Sequence, residues 1–244
     1  ELITVKGARL LREADLVVYA GSLVDRELVR TYAANAQVYD SAGMTLEETT
    51  SVMAEALAAG QRVVRLHTGD PSIYGAIQEQ MAELDRLGIG YQVIPGVTSA
   101  FAAAATLKQE LTLPEVSQTV IITRLAGRTP VPERERLSEL ARCGATMVIY
   151  LSVGMIEEVV GELLSGAYTS ETPVAVVARA SWPDEQVVTG TLADIADTVR
   201  QAGIGKQALI IVGDVLRARS EGLAALSKLY DPSFSHEYRG GVKG

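Results

Sequence analysis

The stretch Arg62-Val-Val-Arg-Leu-His-Thr-Gly-Asp-Pro-Ser-Ile-Tyr-Gly75 decides how the chain is read. Residues 62–66 are a short apolar-rich run bounded by Gly60 and a Gly-Asp-Pro turn, the pattern of a strand. The helical pattern after it runs over 73–87 and stops at Gly88. Upstream, Thr45-Leu-Glu-Glu48 is a capping-box signature: the Thr45 hydroxyl can accept from the Glu48 N–H while the Glu48 side chain reaches back. It opens a helix over 46–59 that Gly60 closes. A helix over 8–14 and a strand over 16–19 precede it. Beyond residue 88, a strand over 91–94 is broken by Pro95-Gly96, and a helix starts near Thr98. This β-α-β-α alternation predicts a parallel sheet covered by helices.

Proline and polar residues interrupt the pattern at 111–115, and a second alternating set follows. Strands fit 119–124, 146–151, 174–179 and 208–212; helices fit 133–142, 155–164 and 192–201. Residues 186–188 suit an added antiparallel strand. The chain reads as two α/β domains with mostly parallel or mixed sheets, 1–113 and 114–230, and a tail over 231–244 expected to be poorly ordered.

Composition narrows the classes. With 48% hydrophobic and 21% charged residues, the 244-residue chain is globular. No apolar run approaches the roughly 20 residues of a membrane span, and the first residues carry no secretory-signal pattern. The single cysteine, Cys143, excludes an internal disulfide and fits a reducing, cytoplasmic setting. A formal charge of −8 argues against nucleic acid as a partner.

Ligands of open parallel sheets bind beyond the carboxyl ends of the strands. Two successive loops of that kind carry unusual chemistry. In 68–75, Gly69 and Gly75 let the backbone approach a ligand, and Asp70 brings a carboxylate for ribose hydroxyls or an ammonium. In 95–100, a Pro-Gly turn precedes the hydroxyls of Thr98 and Ser99 at a helix start, which suits an anion. Either turn alone is a common one; two on neighbouring strand ends point to a site. No dinucleotide fingerprint and no P-loop is present. His67 and His236 lack metal-ligand neighbours, no Ser-His-Asp set can be placed, and no metal is expected.

Several motifs together resemble the tetrapyrrole methylases of cobalamin biosynthesis. They are Leu2-Ile-Thr-Val-Lys-Gly7, Tyr19-Ala-Gly-Ser-Leu-Val24, Ala42-Gly-Met44, His67-Thr-Gly-Asp-Pro-Ser-Ile-Tyr-Gly-Ala76 and Pro95-Gly-Val-Thr-Ser-Ala100. Further on come Gly127-Arg-Thr-Pro-Val-Pro-Glu133, Ala180-Ser-Trp-Pro-Asp-Glu185 and Lys206-Gln-Ala208. The resemblance spans about residues 1–215 and is narrowest toward the precorrin-4 and cobalt-precorrin-4 carbon-11 methylating enzymes. The family pattern places a strand and a Gly-rich loop ahead of the Leu2 motif, where this chain starts at Glu1.

That resemblance implies a homodimer of two-domain subunits with S-adenosylmethionine in the inter-domain cleft. The cofactor contacts it implies are Gly69, Asp70, Ile73, Tyr74, Thr98, Ser99, Ala100, Leu151, Ser152, Arg179, Ala180 and Ala208. The substrate would be an acidic tetrapyrrole, for which Ser22, Arg124 and Arg128 are candidates. The reaction would be direct displacement at the sulfonium methyl, giving S-adenosylhomocysteine, with Tyr74 and His67 as candidates for acid-base help. Methylation at another ring position, or of a protein or RNA, and a non-catalytic S-adenosylmethionine-binding module remain alternatives.

Overall fold

The computed structural model describes residues 1–21, 23–223, 225–231 and 233–240. The chain forms two compact units, Glu1–Phe101 and Ala102–Gly244.

In the first unit, α1 (Val5–Glu13), β1 (Leu16–Tyr19), α2 (Arg26–Tyr32), β2 (Gln37–Asp40), α3 (Leu46–Ala58), β3 (Val63–Leu66) and α4 (Ile77–Arg86) follow one another. The sheet has the order β2-β1-β3 and is parallel throughout, with Leu16 beside both Gln37 and Val63. β1 is buried along its whole length. Its alternation serves two cores: Val17 and Tyr19 pack with Leu11, Val24 and Val29, while Leu16 and Val18 pack with Met53 and Ala56. Helices therefore cover both faces, as a buried parallel sheet requires. The capping box forms as read: the Glu48 N–H donates to Thr45 Oγ1 at 3.2 Å, and the Thr45 N–H donates to Glu48 Oε2 at 2.7 Å.

Two local expectations fail. Residues 91–94 are not a strand; 89–98 run without regular structure, with Tyr91 and Val93 exposed. A strand exists only through its ladder, and among the described residues no neighbour pairs with this segment. The helix expected from Ile73 begins instead at Ile77, because Tyr74 and Ala76 sit in the left-handed region (φ 53° and 47°). The polar edge strand β2 and the short helix α2 were not anticipated.

The second unit holds β4 (Val120–Arg124), α6 (Leu137–Ala141), β5 (Thr146–Tyr150), α7 (Ile156–Leu164), β6 (Pro173–Ala178), β7 (Gln186–Thr191), α8 (Ile195–Gln201) and β8 (Ala208–Val212). The division between units falls within α5 (Ser99–Leu107). The segment around 111–115 folds onto the second unit, where Leu111 and Leu113 are buried and Ser117 Oγ accepts from the Thr146 N–H. The sheet order is β4-β5-β8-β6-β7; only β4 and β5 are parallel, so this sheet is mixed. The strand expected at 186–188 is β7, antiparallel to β6.

Of the tail, residues 231 and 233–240 are described. They gather around Arg239, whose Nη2 donates to the carbonyls of Leu229 and Asp231 at 2.7 and 2.8 Å. Pro232 and residues 241–244 lie outside the described residues. No helix among the described residues is long and apolar enough to cross a membrane.

The core of the second unit centres on β8, where Ile210 is fully buried beside Ile149 and Val176. Ile210→Ala is expected to cost about 2–5 kcal/mol, as large-to-small core changes do. Urea unfolding with an unchanged m-value checks this.

Candidate functional site

β3 ends at Leu66, and the chain enters the Gly-Asp-Pro turn through His67 and Thr68. Gly69 has φ 58°, which a residue with a side chain adopts only under strain. Asp70 follows, half-buried, and both of its carboxylate oxygens are used. Oδ1 accepts from the Ser72 N–H at 2.8 Å, and Oδ2 accepts from the Gly96 N–H at 2.9 Å. The Gly96 hydrogen bond, foremost, and those of Ser72 hold the carboxyl below the ordinary carboxylate range, against an opposing effect of burial. The two loops also touch through their main chains. A Cβ on Gly96 would stand 2.1 Å from the Gly69 carbonyl oxygen, and one on Gly69 would stand 3.5 Å from Thr98 Cα. Thr98 is buried, and α5 begins at Ser99, followed by fully buried Ala100. The two loops singled out in the sequence thus form one structure.

His67 is half-buried, and burial together with the nearby Arg65 lowers its pKa to about 4. Its imidazole is therefore neutral near pH 7, poorly matched to general-base work there. Arg65 itself is largely enclosed. Its Nε donates to Gln80 Oε1 at 3.0 Å, while Nη1 is buried without a hydrogen-bond partner among the described residues. Tyr74 is exposed on the strained segment before α4, and Ile73 is half-buried beside it.

In the second unit, the candidates gather at one edge of the sheet. Ala178 pairs with Ala208, so the end of β6 lies beside the start of β8. Three non-glycine residues directly flanking strand ends here are left-handed: Leu151 after β5, Arg179 after β6 and Gln207 before β8, with φ of 54°, 50° and 53°. Such conformations cost on the order of 1–3 kcal/mol each and concentrate at functional sites. Gln207 stands in the quoted motif Lys206-Gln-Ala208 but was given no site role from sequence, because composition carries no signal of backbone strain. Leu151 is 67% exposed, although large and apolar. The Arg179 N–H donates to the Gln207 carbonyl at 2.8 Å, and its guanidinium pairs with Asp184 at 2.9 Å. Ala180 is half-buried next to it.

Besides Asp70 and Arg179, two more side chains of the candidate set are occupied with structure. The buried Ser152 hydroxyl donates to the Tyr150 carbonyl at 2.6 Å and accepts from the Leu125 N–H at 2.8 Å, tying the ends of β4 and β5. Arg124 Nη1 donates to the Thr129 carbonyl at 2.9 Å, and Nη2 donates to that of Pro130 at 2.8 Å. Its guanidinium closes the 125–130 loop. Arg128, on that loop, is exposed and has no ion-pair partner among the described residues. Ser22, the third substrate candidate, lies outside the described residues.

The tetrapyrrole (corrin/porphyrin) methylase family profile matches residues 1–196. The chain belongs to the tetrapyrrole methylases. It is 59% identical over 239 residues to the cobalt-precorrin-4 C(11)-methyltransferase of Methanocaldococcus jannaschii, covering 98% of this chain and 91% of that one. A crystal structure of a cobalamin-biosynthetic cobalt-precorrin-4 methyltransferase superposes with a TM-score of 0.86 at 48% identity, covering 88% of this chain and 90% of that one. A uroporphyrin-III C-methyltransferase from Thermus thermophilus, solved in complex with S-adenosylhomocysteine, reaches a TM-score of 0.72 at 30% identity, covering 89% and 93%. Tetrapyrrole methylases take their methyl group from S-adenosylmethionine, and this chain is a methyltransferase of that family with its two-unit α/β fold.

A histidine with a lowered pKa binds fewer protons folded than unfolded, so its contribution to stability falls as pH drops from about 6.5 toward about 4. The His67 imidazole resonances are expected to stay unchanged from pH 8 to pH 5. His67→Gln should flatten the acid side of a melting-temperature profile. A titration midpoint near pH 6.5 would contradict the burial described.

Proposed function

We propose that this methylase transfers a methyl group from S-adenosylmethionine to ring carbon 11 of precorrin-4 or cobalt-precorrin-4, giving the corresponding precorrin-5 and S-adenosylhomocysteine in cobalamin biosynthesis. Similarity along nearly the whole chain to an enzyme named for this activity carries the reading.

The residues present fit the cofactor. The left-handed Gly69 brings bare backbone beside Thr98 and Ser99, at the amino end of a nine-residue helix, where a carboxylate is favoured. We assign Gly69, Asp70, Ile73, Tyr74, Thr98, Ser99 and Ala100 to cofactor binding, together with Leu151, Ser152, Arg179, Ala180 and Ala208. Ser152 acts through its backbone, since its hydroxyl is engaged. When bound, S-adenosylmethionine supplies an activated methyl for direct displacement by an electron-rich ring carbon. The chain's own task is then to hold and orient, which supplies on the order of 7–11 kcal/mol in well-oriented reactions. His67, neutral and a weak base near pH 7, offers one ring N–H and one acceptor to orient the substrate, and Tyr74 offers a hydroxyl that orients it or moves a proton; these are the two candidates for acid-base help.

The substrate carries many carboxylates, and Arg128 is the cation we assign to them. Arg124 supports the Arg128 loop, and Ser22 completes the substrate set. A cytoplasmic homodimer that does not bind nucleic acid belongs to the same reading; light scattering at twice the chain mass checks the dimer.

Incubation with methyl-labelled S-adenosylmethionine and a panel of tetrapyrroles tests the assignment. Label is expected in precorrin-5 or its cobalt form. Transfer to another tetrapyrrole alone moves the reading to a different ring position, and binding without any turnover rejects catalysis. Arg128→Ala is expected to raise KM for the tetrapyrrole about tenfold at unchanged melting temperature. Arg124→Ala should also lower the melting temperature, because it strips donors from the carbonyls of Leu125, Thr129 and Pro130.

A further inference from the structure

We propose that the Asp70 side chain is a positioning group: its carboxylate ties the 95–98 loop to the Gly-Asp-Pro turn and sets where the Thr98–Ala100 backbone stands, without itself touching the ligand. The proposal rests on the S-adenosylmethionine reading above and narrows the part of the Asp70 side chain in it from contact with the cofactor to positioning of the loop that makes contact.

The geometry points this way for three reasons. First, the two carboxylate oxygens are divided between two segments, one accepting from Ser72 and the other from Gly96. Second, the segment carrying Gly96 has little else to hold it. Residues 89–97 have no ladder partner among the described residues; the Ile89 N–H donates to the Leu84 carbonyl at the segment's start, and the side-chain bonds of Tyr91 to Asp85 and Lys6 to Gln92 are exposed and 3.3 Å long. Third, Asp70 pairs with no cation among the described residues. Amide dipoles balance its charge, and they stay satisfied only while both loops are in place. The main-chain contact between Gly69 and Gly96 then carries the Asp70 constraint directly to Thr98 and Ser99.

A ligand-binding carboxylate and a positioning carboxylate both weaken binding when removed. They differ in the free protein and in how the loss depends on the ligand. Asp70→Asn keeps the shape but leaves one acceptor oxygen where two N–H groups point. In the full-length D70N protein without ligand, the Ser72 and Gly96 amides should exchange hydrogen faster than in wild type. Calorimetry should show about tenfold weaker S-adenosylhomocysteine binding. The factor should be the same for analogues lacking the ribose 2′-hydroxyl, the ribose 3′-hydroxyl or the amino group.

Unchanged amide exchange overturns the proposal. So does a penalty for losing a hydroxyl or the amino group that is present in wild type and absent in D70N. Should D70N fail to fold, the wild type answers alone. Its Ser72 and Gly96 amide proton shifts should follow the acid titration of Asp70, and shifts that ignore it overturn the tie. Wild-type protein that binds no S-adenosylhomocysteine defeats the cofactor reading instead, and amide exchange still decides the tie.

Discussion

The carbonyl oxygen of Gly69 and the α-carbon of Gly96 meet with no space for a side chain between them. A methyl group there would force the loop after β3 away from the segment entering α5. Everything distinctive about the first unit's candidate site follows from that closeness. It places Thr98 and Ser99 beside a left-handed glycine and puts the Gly96 N–H within reach of Asp70. Because the contact is backbone against backbone, its position does not depend on rotamers. A site that orients a flexible charged ligand benefits from walls of this kind.

The second unit reaches a comparable rigidity by another route. Three strained residues sit at one edge of a sheet whose interior is tightly filled, with Met147, Val148, Ile149, Ile210 and Ile211 fully buried. Strain of this kind persists only where surrounding packing over-determines it. The ties made by Ser152 and Arg124 belong to the same arrangement: each spends a polar side chain on backbone groups of a neighbouring loop.

Much of the fold was legible because burial and capping write themselves into residue order. The apolar runs of β1, β5, β6 and β8 and the Thr45–Glu48 box needed no tertiary information. β2, Gln37-Val-Tyr-Asp40, was invisible because an edge strand with polar residues lacks that signal. Residues 91–94 have strand composition but no partner among the described residues, and composition does not report partners. At the site, the two loops could be read as a pair, since glycine and proline announce turns. What Asp70, Ser152 and Arg124 do there could not be read. Asp70 and Ser152 bond to the backbone of a distant segment, and Arg124 closes a loop whose shape composition does not state; only folding decides which groups come near.

The ionisation of His67 and Asp70 has a consequence for enzymology. One takes up its proton only around pH 4, and the other is held as an anion below its ordinary range. Across the interval in which most enzymes are assayed, neither group changes charge, so the local electric field contributed by this pair is constant. A bell-shaped activity curve recorded between pH 5 and pH 8 would therefore be the signature of the tetrapyrrole's own carboxylates or of groups elsewhere in the chain.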